Sequence, residues 1–301
     1  MPERSSQRNL AIAAVATATL IWGSVGVLVK TTAISGLTFA MYRLWLGALL
    51  HLGVMAVMRR RLSWATFRAC APGGALFALD IGLAFTAVKL TTVANAAIIG
   101  ALAPVLIAFA SARWLGERIG RRERALAAAS LGGVVLVTVG SSGSPAWSPV
   151  GDALAALSML AWVAYWLFSR RARVQASALE YMTSVMIAGA IVITPVALIR
   201  GGIPPAWPDA HDWAILVLFA ILPGATGHLL VAWSHRHVES WLSALITQCA
   251  PVVAALTAWA VVDEPVTAVV ALGGAVVLGA TGLLVARSRV PAQTEELEPA
   301  A

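Results

Sequence analysis

Two ionisable side chains stand inside long apolar runs: Asp80 in the run 71–88 and His228 in the run 213–233. A carboxylate in the middle of a hydrocarbon layer costs about 2.5 to 3.5 kcal/mol on insertion scales, so something must compensate Asp80. It reads either as a contact for a substrate amine and carrier of a proton, or as a buried partner of Arg43 or Lys89. Histidine titrates near neutrality, which makes His228 the other proton-carrying candidate; it reads equally as a satisfied histidine continuing toward His235 and His237. Arg43, early in the run 36–58, suits a tether between helices and also a substrate carboxylate, because its planar fork grips both. Trp22 and the cluster Trp162, Tyr165 and Trp166 offer aromatic rings to a substrate or to lipid. Asn95 and Gln248 offer neutral hydrogen-bonding groups that hold a substrate or join helices. The candidate substrate-binding set is therefore Trp22, Asp80, Asn95, Trp162, Tyr165, His228 and Gln248.

The rest of the sequence narrows the chemistry. There is no phosphate-binding glycine loop ending in Lys and Ser or Thr, and no nucleophile elbow. The histidines have no carboxylate or cysteine cluster beside them, so neither a metal site nor a cofactor is expected. Cys70 and Cys249 are too few and too separate for a disulfide framework. An enzyme is not expected. One reading that remains is an intramembrane lipid-modifying enzyme with Asp80 and His228 as acid and base, which requires the two within hydrogen-bond reach.

The elements that must position these residues are membrane helices. Hydrophobic residues make up 59% of the 301 and charged residues 12%, about half the charged share of a soluble domain. Ten apolar runs are long enough to cross a hydrocarbon core: 10–29, 36–58, 71–88, 92–114, 125–140, 151–169, 178–199, 213–233, 240–262 and 266–286. The first is read as a span and not a cleaved signal, because its repeat partner around Trp162 lies in mid-chain. The net charge of +7 is a matter of topology and not of nucleic acid. Arginines cluster at 59–61, 113–124, 170–173 and 287–289, whereas the alternate loops carry only Lys30, Lys89 and Arg200. The positive-inside bias makes the crowded side cytoplasmic, with both termini there.

The chain is written twice. Ala103–Glu117, APVLIAFASARWLGE, returns as APVVAALTAWAVVDE at Ala250–Glu264, pairing Pro104 with Pro251 and Glu117 with Glu264. Lys89 falls on Arg236 at the same offset, and Trp22 falls on Trp162 at a slightly shorter one. Five spans per copy is an odd number, so the repeats are inverted, which places functional groups near mid-depth between the halves. The expected units are 1–140, an external linker 141–150, 151–290 and a disordered cytoplasmic tail 291–301. Pro104 and Pro251 break helical hydrogen bonding and are read as hinges or kinks. Glu117 and Glu264, at mirrored helix ends, are read as termini or gates. Gly47, Gly132, Gly133, Gly273, Gly274, Gly279 and Gly282 suit close helix packing, a dimer face being the other reading.

These motifs resemble the drug/metabolite transporter superfamily in its EamA branch. They are Leu20-Ile21-Trp22-Gly23, Arg43, Ala103-Pro104 with Leu115-Gly116-Glu117, and Pro251 with Glu264-Pro265. Val262-Asp263-Glu264 departs from the usual leucine-glycine-glutamate of the second copy. The resemblance implies a secondary transporter of the bacterial inner membrane that exports amino acids or related small amphiphilic metabolites by alternating access. Coupling to protons and uptake by the same fold are its open variants. The partners it implies are a small-molecule metabolite and membrane lipid, with no nucleic acid.

Overall fold

The computed structural model describes residues 2–142, 148–203, 205–262 and 266–288. All regular structure among them is helical, and ten helical segments are long and apolar enough to cross a membrane. Four match the expected runs to within a turn: α2 (Gly36–Val57), α7 (Pro149–Ala172), α8 (Ala178–Gly201) and α13 (Ala268–Ser288), whereas α1 (Pro2–Val25), extended by a 3₁₀ turn (Gly26–Thr31), starts well before the expected residue 10. The fifth span, α6 (Arg121–Ser142), starts a turn earlier than expected. The linker read at 141–150 shrinks from both sides, since Ser141 and Ser142 close α6 and α7 opens at Pro149. Residues 143–147, Glu264 and the tail 291–301 lie outside the described residues.

Four further spans differ from expectation, each for a local reason. α3 (Trp64–Leu90) begins seven residues before the expected 71, because the Ser63 hydroxyl accepts from Thr66 N–H at 3.0 Å and caps it. Arg68 is thus helical and not in a loop. The fourth span is two helices, α4 (Val93–Gly100) and α5 (Ala103–Trp114), and the ninth is likewise α11 (Ser240–Thr247) and α12 (Ala250–Val262). Pro104 and Pro251 are each the second residue of a new helix, a position where the missing N–H costs little. They start half-helices and do not kink continuous ones. The eighth span runs as α9 (Ala210–Phe219), a π-helical stretch (Ala220–Gly227) and α10 (His228–Ser234). Pro223 cannot donate to Phe219 O, and Gly224 carries no Cβ where one would lie 2.7 Å from that oxygen. Widening the helix by one residue per turn accommodates both.

The two repeats interlock. α6 packs along α13, α2 on α8, α3 on α7 and α8, and α1 on α10 and α12. In lipid such contacts depend on close approach, which small residues permit. A Cβ on Gly133 would lie 2.8 Å from Gly273 O, and one on Gly273 would lie 2.7 Å from Gly133 O. Gly132, Gly279 and Gly282 correct the expectation: around each the Cβ position is open.

Polar contacts stitch the repeats at both ends of the bundle. At the basic end Glu117 closes the fourth span and accepts from Ser240 N–H at 2.9 Å and Trp241 N–H at 3.3 Å. The last residues of the fourth span therefore meet the first of the ninth, so the equivalent spans run in opposite directions. Arg170 Nε lies 3.7 Å from the same carboxylate, and Arg8 pairs with Glu239 at 2.7 Å. At the opposite end Asp152 accepts from Thr91 Oγ1 and Asn95 Nδ2 at 2.6 and 2.7 Å. Asp212 there accepts from Ala33 N–H and Ile34 N–H at 3.0 and 3.2 Å.

Candidate functional site

Between the repeats lies a cluster of rings contributed by four spans. Trp22 from α1 stands 4.9 Å from His228 and 5.9 Å from Trp162, and Trp162 stands 5.4 Å from Tyr165. Phe77 from α3 closes the group, 4.7 Å from His228 and 4.9 Å from Tyr165. The sequence dictates part of this. Trp162 and Tyr165, three apart on α7, share a helical face. Trp22 donates to Pro223 O at 3.4 Å, and a Cβ on Gly227 would lie 2.7 Å from Trp22 Nε1. The Pro-Gly-rich π stretch is thus moulded to the indole.

Two opposite charges sit against these rings. Arg43 is 3% exposed; its guanidinium carbon lies 5.6 Å from the Phe77 ring centre and 5.5 Å from that of Phe85. Among the described residues neither Nε nor Nη1 has a hydrogen-bond partner. Cation–π contact is worth about 2 kcal/mol when desolvated, whereas an uncompensated buried charge costs several. Asp80, 8% exposed, is close enough for its charge to act on Arg43, and its Oδ1 accepts from Ser158 Oγ at 2.7 Å. No ion pair within 4.0 Å joins it to Arg43 among the described residues. A guanidinium, a carboxylate and aromatic rings gathered in one place have the chemistry to hold a small molecule bearing an acid, an amine and apolar surface.

Of the residues read from sequence, Trp22, Asp80, Trp162, Tyr165 and His228 come together, and Arg43 joins them, with no tether through Nε or Nη1 among the described residues. Asn95 does not join them, being bonded to Asp152 at the end of the bundle. Gln248 is also outside the ring cluster, in a small cavity that Trp162 borders from the other side. Lys89, offered as a partner for Asp80, instead donates to Thr32 O at 2.6 Å. Among the described residues Asp80 and His228 share no hydrogen bond, and Asp80 Oδ1 is bonded to Ser158 instead. Phe77, Phe85 and Ser158 were missed. Phe77 was accessible, three residues before Asp80 on one helical face; the signal for the π stretch was the run Pro223-Gly224-Ala225-Thr226-Gly227 inside an apolar segment.

At the basic end, Arg170, Arg171, His235, Arg236 and His237 line a cleft of about 530 Å³. His235 Nδ1 is paired with Ser169 Oγ at 3.0 Å, and burial, with the charges of Arg170 and Arg173, pushes its pKa down to about 3. The ordinary value is about 6.5. Below that pH the unfolded chain takes up a proton that the folded one refuses, so stability present above pH 6.5 is lost as pH falls toward 3. At pH 5 the loss amounts to about 2 kcal/mol. Melting of the purified protein is expected to fall between pH 7 and pH 5, and His235→Asn is expected to fall less; parallel curves would remove His235 as the cause.

The profile of the EamA-like transporter family matches residues 9–139 and again 149–286. Among solved structures 29 chains match. One, described as a crystal structure of a protein, superposes with a TM-score of 0.78 at 23% sequence identity, covering 92% of this chain and 98% of that one. At this identity the likeness concerns the fold. No curated protein matches.

Proposed function

Because the chain belongs to the EamA-like transporter family, and is thus a multi-pass membrane transporter, we propose that its cargo is a small amphiphile carrying both a carboxylate and an amine, such as an amino acid. The observation that carries this reading is Arg43, a buried guanidinium with free hydrogen-bonding nitrogens beside aromatic rings. A cargo carboxylate supplies the acceptors it lacks, Asp80 takes the amine, and Trp22, Trp162 and Tyr165 receive the apolar part. Alternating access follows from two inverted repeats rocking about this site. Export is the direction we assign, across the bacterial inner membrane with both termini in the cytoplasm, where the basic loops would lie.

Transport into sealed vesicles holding the purified protein tests the cargo. Zwitterionic amino acids with apolar side chains are expected to move faster than into protein-free vesicles, and their amides and decarboxylated amines are not. Equal movement of all three classes would remove Arg43 as the reader of a carboxylate. For orientation, single cysteines at 205–212, with Cys70 and Cys249 replaced, should react with an impermeant thiol reagent in intact cells, and cysteines beside Arg122 or Arg171 should not. The opposite pattern reverses the assignment.

A further inference from the structure

The fourth and ninth spans break at equivalent positions, and the two breaks meet. α4 starts at the end of the bundle that holds Asp152, and α11 starts at the end that holds Glu117. Each runs eight residues, about 12 Å, so two helix C-termini converge from opposite sides near mid-depth. Pro104 and Pro251 have no N–H to give the carbonyl oxygens of Gly100 and Thr247, four residues earlier. Gln248 Nε2 donates to Ala101 O at 3.2 Å, across the two breaks. That bond sets the amide, since the reversed amide would face oxygen with oxygen. Gln248 Oε1 is then left without a donor, in a residue only 3% exposed. Gly100, Thr247, Gln248 and Trp162 border a cavity of about 140 Å³, room for a few particles of water size.

A concentration of buried acceptors at low dielectric calls for positive charge or donors. Carbonyl oxygens at unwound helix ends are how membrane transporters coordinate small cations. Here the prolines remove donors and not acceptors, and the indole of Trp162 adds an aromatic wall of the kind that attracts cations. Divalent ions, which favour carboxylates, find none among the residues lining the cavity. We propose that this junction binds a small monovalent cation through the carbonyl oxygens of Gly100 and Thr247 and the side-chain oxygen of Gln248, with water completing the shell. Its ligands come from both repeats, so binding favours the arrangement that brings them together. A part in coupling rests on the transport reading above; the binding itself does not.

The test is melting of the full-length protein in detergent, in sodium, potassium, methylammonium or choline chloride at equal ionic strength. The melting temperature is expected to rise saturably with one of the three small cations over choline. A shift with sodium or potassium identifies an alkali-ion site, and a shift with methylammonium identifies a site for a small primary ammonium ion. Gln248→Leu should raise the half-saturating concentration at least tenfold. Pro251→Ala should do the same by returning an N–H to Thr247 O; it adds a donor and removes no polar group, so it reads even if Gln248→Leu does not fold. Identical melting in all four salts overturns the proposal, and so does a saturable shift that Pro251→Ala keeps unchanged. Arg43→Met should leave the salt response intact, which separates failure at this junction from failure of the carboxylate site.

Discussion

Arg43→Met is expected to cut transport of an amino-acid cargo by roughly a hundredfold or more while leaving the melting temperature unchanged or raised. The combination follows from the surroundings of the guanidinium. Its Nε and Nη1 lack hydrogen-bond partners among the described residues, so little is lost when the charge goes, and exchanging a poorly compensated buried charge for an apolar chain of similar reach is often neutral or stabilising. The cargo loses a desolvated carboxylate–guanidinium contact. Truncating one partner of such a pair costs about 2 to 5 kcal/mol, and about 2.7 kcal/mol is a hundredfold. Arg43→Lys should not restore the rate, because an ammonium lacks the paired donors of the fork. Vesicle transport measured per inserted molecule, beside thermal melting, decides. A variant that melts at a lower temperature but transports normally per inserted molecule would return the residue to a structural role.

Asp80→Asn is expected to abolish the dependence of transport on the pH gradient. On the reading proposed above, a proton and a cargo ammonium would neutralise the same carboxylate and so compete for it, and exchange of one for the other would follow. Asparagine cannot take up the proton, yet its side-chain oxygen still accepts from Ser158, whose hydroxyl lies 2.7 Å from Asp80 Oδ1. Folding and insertion should survive. Transport by the parent and the variant is compared with and without an imposed gradient; equal stimulation of both would exclude Asp80 as the proton site, and His228→Gln in parallel reports on the histidine that packs against Trp22 and Phe77.

The number of spans, the duplication and the inversion could be read from the chain alone. Hydrocarbon offers the backbone no partner, so each crossing segment must pair its own N–H and C=O groups and is written as a long apolar run. The ring cluster was partly legible for the same reason: Asp80 and His228 stand out because polar groups there are costly, and Trp162 and Tyr165 share a face by helical period alone. The breaks were half legible, as two prolines at one offset, but whether a proline bends a helix or starts a new one depends on whether its neighbours replace the lost hydrogen bond. Tertiary structure alone decided which groups met. Asn95 went to Asp152, Glu117 to the start of the ninth span and Gln248 to the facing break. Each of these contacts joins one repeat to the other, and the partner of a side chain between repeats is chosen by how the helices pack, which no local period encodes.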